Sequence, residues 1–347
     1  MTAVTIQTLF NNACRGQVFE KIPVWLMRQA GRYLPAYQKL KHQASFWDLC
    51  SKPDLAAKAT LSAVEYLDAD AAIIFSDITV IGKAMGLPLH FDPGPKFLKV
   101  VRDEQELKQL KTIKPEQDLE YVLEAIDITR AQLDKSISLI GFCGAPFSLA
   151  AYMIEGIPNK NWLETKKIIY NEPQLAIKII DRVTDAIIAH AQAQVKAGCD
   201  VIQLFDSNAG ELAFDDLEKF ALAPARRAIK AIKLTGVPVI YFARNISAQL
   251  KQVATVKADV LSIDWQISIA TARQKLRSMP LALQGNLDPI TLFCSRSEIE
   301  RRAHAILQQA HGHPGFIFNL GHGVLPLTPP ENARHLIEIV HSWRPDK

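Results

Sequence analysis

Residues 22–37, IPVWLMRQAGRYLPAY, carry the pattern on which the fold prediction rests. The apolar run at residues 22–27 stops abruptly at Arg28, and a loop with a glycine and a second arginine, Arg32, follows it. Such a run is typical of a strand that is buried on both faces, as in a parallel sheet. The sequence therefore predicts a rigid strand with two guanidinium groups just beyond its C-terminal end.

Arg28 and Arg32 allow two interpretations. A guanidinium group donates two parallel N–H bonds to a carboxylate or phosphate, so a pair on one loop suits a ligand with several anionic groups. The alternative is a pair of surface arginines bonded to local acids, which is the ordinary situation for this residue type. The pattern in the rest of the chain favours the first interpretation.

Seven more apolar runs follow, and helical spacing follows each of them. The runs are residues 71–75, 139–143, 201–205, 237–242, 260–263, 281–283 and 316–318. Among the intervening helices, one is expected to begin with Ser51 as its N-cap, and the last with a capping box made by Thr328 and Glu331. Residues 83–100, rich in glycine and proline, are interpreted as an excursion from this pattern.

The alternation of eight runs with helices predicts an α/β fold, a single (β/α)8 TIM-type barrel that forms one catalytic domain over residues 1–347. A doubly wound open sheet is the competing interpretation. It would usually carry G-x-G-x-x-G after its first strand, and this motif is absent from the chain.

Composition narrows the class of protein further. The chain has 347 residues, of which 48% are hydrophobic and 22% charged, the balance of a globular enzyme. The net charge of +4 is spread without a long basic run, so nucleic acid is not implied. No export signal or membrane-length apolar run is evident, and the five cysteines are scattered. These features predict a cytoplasmic protein with reduced thiols and no metal cage.

A barrel enzyme builds its active site from the loops at the C-terminal ends of the strands, which converge on one mouth. The polar residues expected there are Arg28, Arg32, Asp77, Ser207, Arg244, Asn245, Asp264, Asn286 and His322. A serine hydrolase would need G-x-S-x-G, which does not occur. His311 and His313 precede the last strand and so belong to the opposite rim. His322 could be a lone metal ligand, a general acid or a hydrogen-bond donor, and the lack of further metal ligands in the sequence favours the hydrogen-bond donor.

Several motifs occur in series along the chain: MRQAGRYLPAY at residues 27–37, FSDI at 75–78, GAPFSLAAYMIEG at 144–156, FDSNAG at 205–210, YFARN at 241–245, QGNLDP at 284–289 and NLGHGVLP at 319–326. Together they resemble the uroporphyrinogen decarboxylase family over nearly the whole chain. The resemblance implies a barrel enzyme, usually a homodimer, that removes carbon dioxide from the four acetate arms of uroporphyrinogen III to give coproporphyrinogen III. It also implies that no metal or organic cofactor takes part.

The resemblance further assigns roles to single residues. The residues implied to bind the carboxylates of the substrate are Arg28, Gln29, Ala30, Gly31 and Arg32, with Lys41 nearby. Asp77 matches the essential aspartate of the family, and Tyr152, Ser207 and His322 match other positions that contact the substrate.

Asp77 is the central element of the mechanistic hypothesis. Protonation of a pyrrole ring at carbon makes the ring an electron sink for decarboxylation, and an ionised Asp77 would stabilise the resulting cation. The alternative is that Asp77 only caps the following helix. The proton donor stays open between Arg28, water and a carboxylic acid of the substrate, because a guanidinium group is a poor acid near neutral pH.

Three residues depart from the family pattern: Lys41 in place of an arginine, Asn208 in place of a larger side chain, and Gln266 in place of a basic residue. Two rival functions also remain at this stage. A cobalamin-linked methyltransferase of the same barrel superfamily would need zinc ligands, and the other rival is a non-catalytic tetrapyrrole-binding barrel.

Overall fold

The computed structural model describes residues 8–17, 21–91, 94–159, 161–279 and 281–345. The strands within the described residues are β1 Ala71–Ile73, β2 Leu89–Phe91, β3 Pro95–Phe97, β4 Ser138–Gly144, β5 Val201–Asp206, β6 Val239–Ala243, β7 Val260–Ser262, β8 Ala282–Leu287 and β9 Phe316–Leu320, and all except β2 and β3 coincide with predicted apolar runs. Seven of them pair in parallel in the order β1-β4-β5-β6-β7-β8-β9, as expected when each strand is joined to the next through a helix. The antiparallel pair β2–β3 lies within the predicted excursion.

The first apolar run, residues 22–27, closes the sheet and is called the closing segment below. Val24 forms a parallel bridge with Phe318 of β9, and Trp25 N donates to Phe318 O at 3.3 Å. On the other side Asp70 N, just before β1, donates to Val24 O at 2.9 Å. The closing segment thus joins the last strand to the first, and the prediction of a barrel rather than an open sheet is confirmed.

Helices surround this ring, and the longer ones pack buried apolar residues against it. The α-helices are α1 Leu9–Cys14, α2 Pro35–Gln43, α3 Phe46–Ser51, α4 Pro53–Leu67, α5 Val80–Ala84, α6 Glu104–Gln109, α7 Pro115–Asp118, α8 Glu120–Gln132, α9 Pro146–Glu155, α10 Leu163–Asn171, α11 Pro173–Lys196, α12 Phe214–Asp216, α13 Ala223–Lys233, α14 Leu250–Val253, α15 Ile269–Lys275, α16 Arg296–Ala310 and α17 Pro330–Ser342. Short 3₁₀ helices span Ala209–Glu211, Ala254–Val256 and Pro289–Phe293, and Leu217–Leu222 is a π-helical turn. Within the described ranges, none of the helices is both long and apolar enough to cross a membrane.

Two of the predicted helix caps are wrong. Ser51 is the last residue of α3, and α4 begins at Pro53 after Lys52, which makes no side-chain capping bond. Likewise α17 begins after Pro329 without a side-chain cap, and the Thr328 hydroxyl is buried without a hydrogen-bond partner. In both cases proline fixes the first turn by its own φ, so a capping side chain is not required there.

Candidate active site

Arg28 lies at the mouth of the barrel in a strained backbone conformation. Its φ is +62°, in the left-handed region that a residue with a Cβ rarely adopts. Its side chain crosses Gly323 in the loop after β9, where a Cβ would come within 2.3 Å of Arg28 Cδ. Val324 N also donates to Met27 O at 2.8 Å. Glycine at position 323 therefore makes room for the guanidinium group, and the two loops hold each other in place.

Asp77 follows β1, and its two carboxylate oxygens differ in their partners. Oδ1 accepts hydrogen bonds from Thr79 N, at 2.9 Å, and from the Thr79 hydroxyl. Oδ2 has no hydrogen-bond partner in the part of the chain that the structure describes. The N-cap of α5 is Thr79, so Asp77 forms a turn ahead of the helix and is not its cap. One oxygen is left available to a ligand.

The ionisation of Asp77 depends on opposing effects. Burial raises the pKa of its carboxyl group above the ordinary value. The hydrogen bonds from Thr79 and the positive charge of Arg28 oppose that rise, because both favour the carboxylate. The same contacts that orient the side chain thus also help to keep it ionised.

His322 lies in the loop after β9, with its ring centre 6.0 Å from that of Phe242. Burial, with the charges of Arg28 and Arg244, lowers its pKa to about 3. The imidazole is therefore neutral near pH 7, so it can donate one hydrogen bond and accept another.

Tyr152, on α9, faces the same charged groups. Burial and the charge of Asp77 raise the pKa of its phenol, and the charges of Arg28 and Arg244 oppose this rise. The same two arginines therefore act electrostatically on both Tyr152 and His322. The structure thus brings together residues that are separated by long stretches of sequence.

Ser207 is held at the mouth by a buried network beneath it. Asp206, the last residue of β5, accepts hydrogen bonds of 2.6 Å from the Ser148 and Tyr241 hydroxyls. Asn208 N in turn donates to Ser148 Oγ at 3.1 Å. Burial raises the pKa of Asp206 to about 6. Asp206 thus fixes the turn that carries Ser207, a role that no pattern in the sequence indicated.

Gln29 occupies a different position from the other residues of the arginine loop. Its side chain is fully buried, with Nε2 donating to Ala71 O at 3.0 Å and Oε1 accepting from Leu26 N at 3.3 Å. The amide therefore ties the loop to β1 and does not point into the mouth, so any contact of Gln29 with a ligand would be made by its backbone.

The remaining predicted residues are more accessible. Ala30 and Gly31 are half-buried on the loop, and Arg32 is exposed. Lys41 is exposed on α2, and within the described residues it makes no ion pair and no side-chain hydrogen bond. The structure thus does not bring Lys41 into contact with the other predicted residues.

Two polar residues at the strand ends serve the loops themselves. Asp264 accepts hydrogen bonds from Asn245 N at 2.6 Å and Gln266 N at 3.0 Å, and Asn286 Nδ2 donates to Asp264 O at 2.9 Å. Asp264 and Asn286 are almost fully buried. They stabilise the loops after β6, β7 and β8, which leaves fewer polar groups free for a ligand.

The cations at the mouth lack internal partners. Arg28, Arg32 and Arg244 have no carboxylate partner within the described ranges, and Arg244 Nε is buried without a hydrogen bond.

A cavity of about 1230 Å³ also opens at the opposite end of the barrel. Arg15 and Lys233 line that cavity, but they are already bonded to Gly236 O and Asp259, respectively. Lys257 and Arg277 also line that cavity and have no carboxylate partner among the described residues, so unpaired cations lie at both ends of the barrel.

The described residues contain no group of three or more His, Cys, Asp or Glu side chains that could hold a metal ion. The chemistry of the mouth is instead that of guanidinium groups, one partly free carboxylate, a phenol and a neutral imidazole. Such a set binds carboxylates by charge and orientation, and it can stabilise one positive charge at its centre.

Comparison with known proteins agrees with this description. The family model "Uroporphyrinogen decarboxylase (URO-D)" matches residues 5–343. Relatives named uroporphyrinogen decarboxylase from Geotalea uraniireducens (strain Rf4) and Geobacter metallireducens are each 43% identical to this chain, over 336 and 332 residues. The alignments cover 97% and 96% of this chain and 98% and 97% of the relatives.

Among solved structures, a methyltransferase from Methanosarcina mazei superposes with a TM-score of 0.77 at 20% identity, over 95% of this chain and 96% of that one. A putative vitamin-B12 independent methionine synthase from Listeria monocytogenes superposes with a TM-score of 0.60 at 10% identity, over 94% and 97% of the two chains. At these identities the likeness shows a shared fold alone.

Proposed function

Because the chain belongs to the uroporphyrinogen decarboxylase family, we propose that it removes carbon dioxide from the four acetate arms of uroporphyrinogen III and releases coproporphyrinogen III. The observation that carries the proposal is the composition of the mouth. The guanidinium group of Arg28 has no carboxylate partner among the described residues and its charge acts on Asp77, whose Oδ2 is likewise unbonded within those residues. A substrate with eight carboxylates around its edge and N–H groups at its centre complements this arrangement.

We assign the binding of the carboxylates first to Arg28 and Arg32, with Lys41 contributing from α2. Backbone groups of Gln29, Ala30 and Gly31 can add hydrogen bonds, because these residues lie on the same loop. The left-handed backbone of Arg28 supports this role, since strain of this kind concentrates at functional sites.

The reaction then uses the substrate as its own electron sink. A proton adds to a carbon of the pyrrole ring and makes the ring a cation. The bond between the methylene and the carboxylate breaks, its electrons neutralise the ring, and carbon dioxide leaves. The methylene takes up a proton to become a methyl group, and the ring carbon releases its proton. Each cycle consumes one proton overall.

Asp77 stabilises the cation in this scheme. Its free Oδ2 accepts hydrogen bonds from pyrrole N–H groups, and its negative charge gains most as the positive charge develops. Thr79 holds the other oxygen, so the carboxylate does not have to reorient during the reaction. Tyr152, Ser207 and His322 orient carboxylate arms. His322 cannot donate a proton as imidazolium near pH 7, because its pKa is about 3.

We also infer that residues 1–347 form one catalytic domain that acts as a homodimer in the cytoplasm. Support for the dimer comes from large apolar side chains exposed by 41% to 85% in segments that follow the strands at the mouth: Phe214, Trp265, Ile290, Phe293 and Leu327. Sedimentation of the purified chain tests the dimer. The unpaired thiols of the five cysteines agree with a reducing compartment.

The decisive experiment is incubation of the purified chain with uroporphyrinogen under reducing, air-free conditions, with products identified by mass. We expect stepwise loss of four carbon dioxide molecules to the four-carboxylate product. Tight binding without release of carbon dioxide would support the non-catalytic rival. Methyl transfer that depends on bound zinc would support the methyltransferase.

A further inference from the structure

We propose that Arg244 binds a carboxylate of the substrate on the wall of the mouth opposite Arg28, so that the macrocycle is held at two edges. This inference rests on the proposed function and adds a binding residue to it. Neither the sequence motifs nor the family resemblance assigned Arg244 a role.

The order of the strands places the two arginines on opposite walls. The ring runs from the closing segment through β1, β4, β5, β6, β7, β8 and β9 and back. Arg28 follows the closing segment and Arg244 follows β6, which is four places away in either direction around the ring of eight. In a barrel of this kind the C-terminal ends of such strands face each other across the mouth.

The backbone of Arg244 is held rigidly. A Cβ on Gly210 would lie 2.3 Å from Arg244 O, so the loop after β5 packs directly against it. Asn245 adopts a φ of +60°, and its N–H donates to Asp264 Oδ2 at 2.6 Å. A fixed base of this kind limits the positions that the guanidinium group can reach, and this reduces the entropy lost on binding.

The side chain of Arg244 lacks a partner inside the protein. None of its nitrogen atoms has a hydrogen-bond partner in the described part of the chain, and Nε is buried from solvent. Arg226, on α13, is by contrast bonded to Glu218 by both terminal nitrogens. Buried N–H groups are almost always satisfied, so an unsatisfied one at a mouth indicates that the partner arrives with the ligand.

The charge of Arg244 also reaches the site already described. It contributes with Arg28 to the lowered pKa of His322, and it opposes the rise in the pKa of Tyr152. The group therefore faces the space shared by these residues. A carboxylate bound to Arg244 would lie on the far side of the macrocycle from Arg28, remote from the acetate that reacts beside Arg28 and Asp77. Binding that is equal in the ground state and transition state lowers KM and leaves kcat unchanged.

Steady-state kinetics with uroporphyrinogen test the inference on three variants. Arg244→Gln removes the charge and keeps much of the volume, and Arg244→Lys keeps the charge but not the two-pronged geometry. Arg227→Gln is the matched control, because Arg227 pairs with Asp181 and Asp185 on the outer surface. We expect Arg244→Gln to raise KM by roughly 10- to 100-fold with kcat nearly unchanged, from the range for hydrogen bonds to charged groups. Arg244→Lys should recover part of the loss, and the control should match the wild type.

A KM for Arg244→Gln within about twofold of the wild type would overturn the inference. If Arg244→Gln does not fold, the KM of Arg244→Lys decides in the same way, with several-fold weakening expected. An NMR titration of His322 provides a readout that does not depend on turnover: its pKa should rise in Arg244→Gln and stay unchanged in Arg227→Gln. A wild-type chain that does not decarboxylate uroporphyrinogen would refute the proposed function itself, which distinguishes the two failures.

Discussion

Three aspartates at the N-terminal end of the barrel are bonded differently from Asp77 at the mouth. At the N-terminal ends of the strands Asp70, Asp200 and Asp259 repeat one arrangement, each directly before a strand. In each case the backbone N–H of the aspartate donates to the carbonyl oxygen of a residue in the adjacent segment of the barrel. The backbone N–H of that residue donates in turn to Oδ2 of the aspartate, at 2.7 to 2.9 Å. Each carboxylate also has a basic partner; these are His341, Arg130 and Lys233 in the same order. At the mouth, Asp77 keeps one oxygen free.

Residues with a left-handed backbone conformation also differ between the two ends of the barrel. Asp68 and Lys257 have positive φ at the C-caps of helices that lead into strands, where this conformation is common. Arg28 and Asn245 have positive φ at the mouth and cap no helix. The three aspartates at the N-terminal end are therefore satisfied internally, whereas the mouth keeps a strained arginine and a carboxylate oxygen that has no partner among the described residues. We infer that substitutions at the two ends separate stability from activity.

The largest effect is expected from Asp77→Asn. The amide keeps an acceptor for Thr79 N and removes the negative charge. If this charge stabilises the ring cation, kcat should fall on the order of 10²- to 10³-fold, as when one group of an electrostatic site is lost. Product formation from uroporphyrinogen measures kcat, and the thermal midpoint should stay close to that of the wild type.

Asp103→Asn is the control for this change, because Asp103 caps α6 by accepting from Glu106 N at 2.7 Å and lies away from the mouth. It should retain full activity. Turnover of Asp77→Asn within tenfold of the wild type would show that Asp77 has only its local role in the turn.

At the other end, Asp200→Ala should lower stability and leave activity intact. The carboxylate bonds Leu139 N at 2.8 Å and Arg130 at 3.1 Å, and both side chains of the pair are mostly buried. Removing it leaves two donors without their acceptor, so the free energy of unfolding should fall by about 2–3 kcal/mol. Chemical denaturation measures the loss.

Glu104→Ala provides the comparison, since the pair of Glu104 with Lys178 is half exposed and should contribute less than about 1 kcal/mol. Equal losses in the two variants would mean that the Asp200 arrangement has no special role. A large loss of kcat in Asp200→Ala at a temperature where it is folded would contradict the separation of the two ends.

His341 should make the stability at the N-terminal end depend on pH. Its hydrogen bond to Asp70 is the main cause of a raised pKa. A histidine whose folded pKa lies above its unfolded value of 6.5 stabilises fully below pH 6.5, and this stabilisation is lost as pH rises through the folded pKa. The wild type should therefore exceed His341→Gln in stability by about 0.5–1 kcal/mol at pH 5.5, and by less at pH 9. A difference that grows with pH would contradict this assignment.

The strands and several residues of the site were predictable from the sequence because both depend on short patterns. Seven of the eight apolar runs form buried strands, and Arg28, Asp77 and His322 each come shortly after an apolar run. The contact of Arg28 with Gly323 joins loops nearly 300 positions apart, so no local pattern could have revealed it.

Asp77 and Asp264 show why the use of each side chain was not predictable. Both are aspartates just beyond a buried strand, so the local sequence does not distinguish their roles. Asp264 has both oxygens bonded to backbone N–H groups, whereas Asp77 keeps Oδ2 free. This difference in hydrogen bonding depends on the backbone conformation of the neighbouring loops, which determines whether their N–H groups reach the carboxylate. The same dependence explains why Gln29, placed in the predicted binding loop, directs its side chain into the protein.

The smallest effect is expected from Thr328→Val, in the loop after β9. If the capping box predicted from the sequence were present, removal of the Thr328 hydroxyl would lower the free energy of unfolding by about 1 kcal/mol. In the structure that hydroxyl is buried without a partner, so its loss should change the free energy of unfolding by less than about 0.5 kcal/mol. Ser268→Ala calibrates the measurement, because Ser268 Oγ accepts from Thr271 N at 3.1 Å as the N-cap of α15 and should lose about 1 kcal/mol. If Thr328→Val lowers the free energy of unfolding as much as Ser268→Ala does, the Thr328 hydroxyl does stabilise this loop. The mouth would then contain more internal hydrogen bonds than the contrast with the N-terminal end requires.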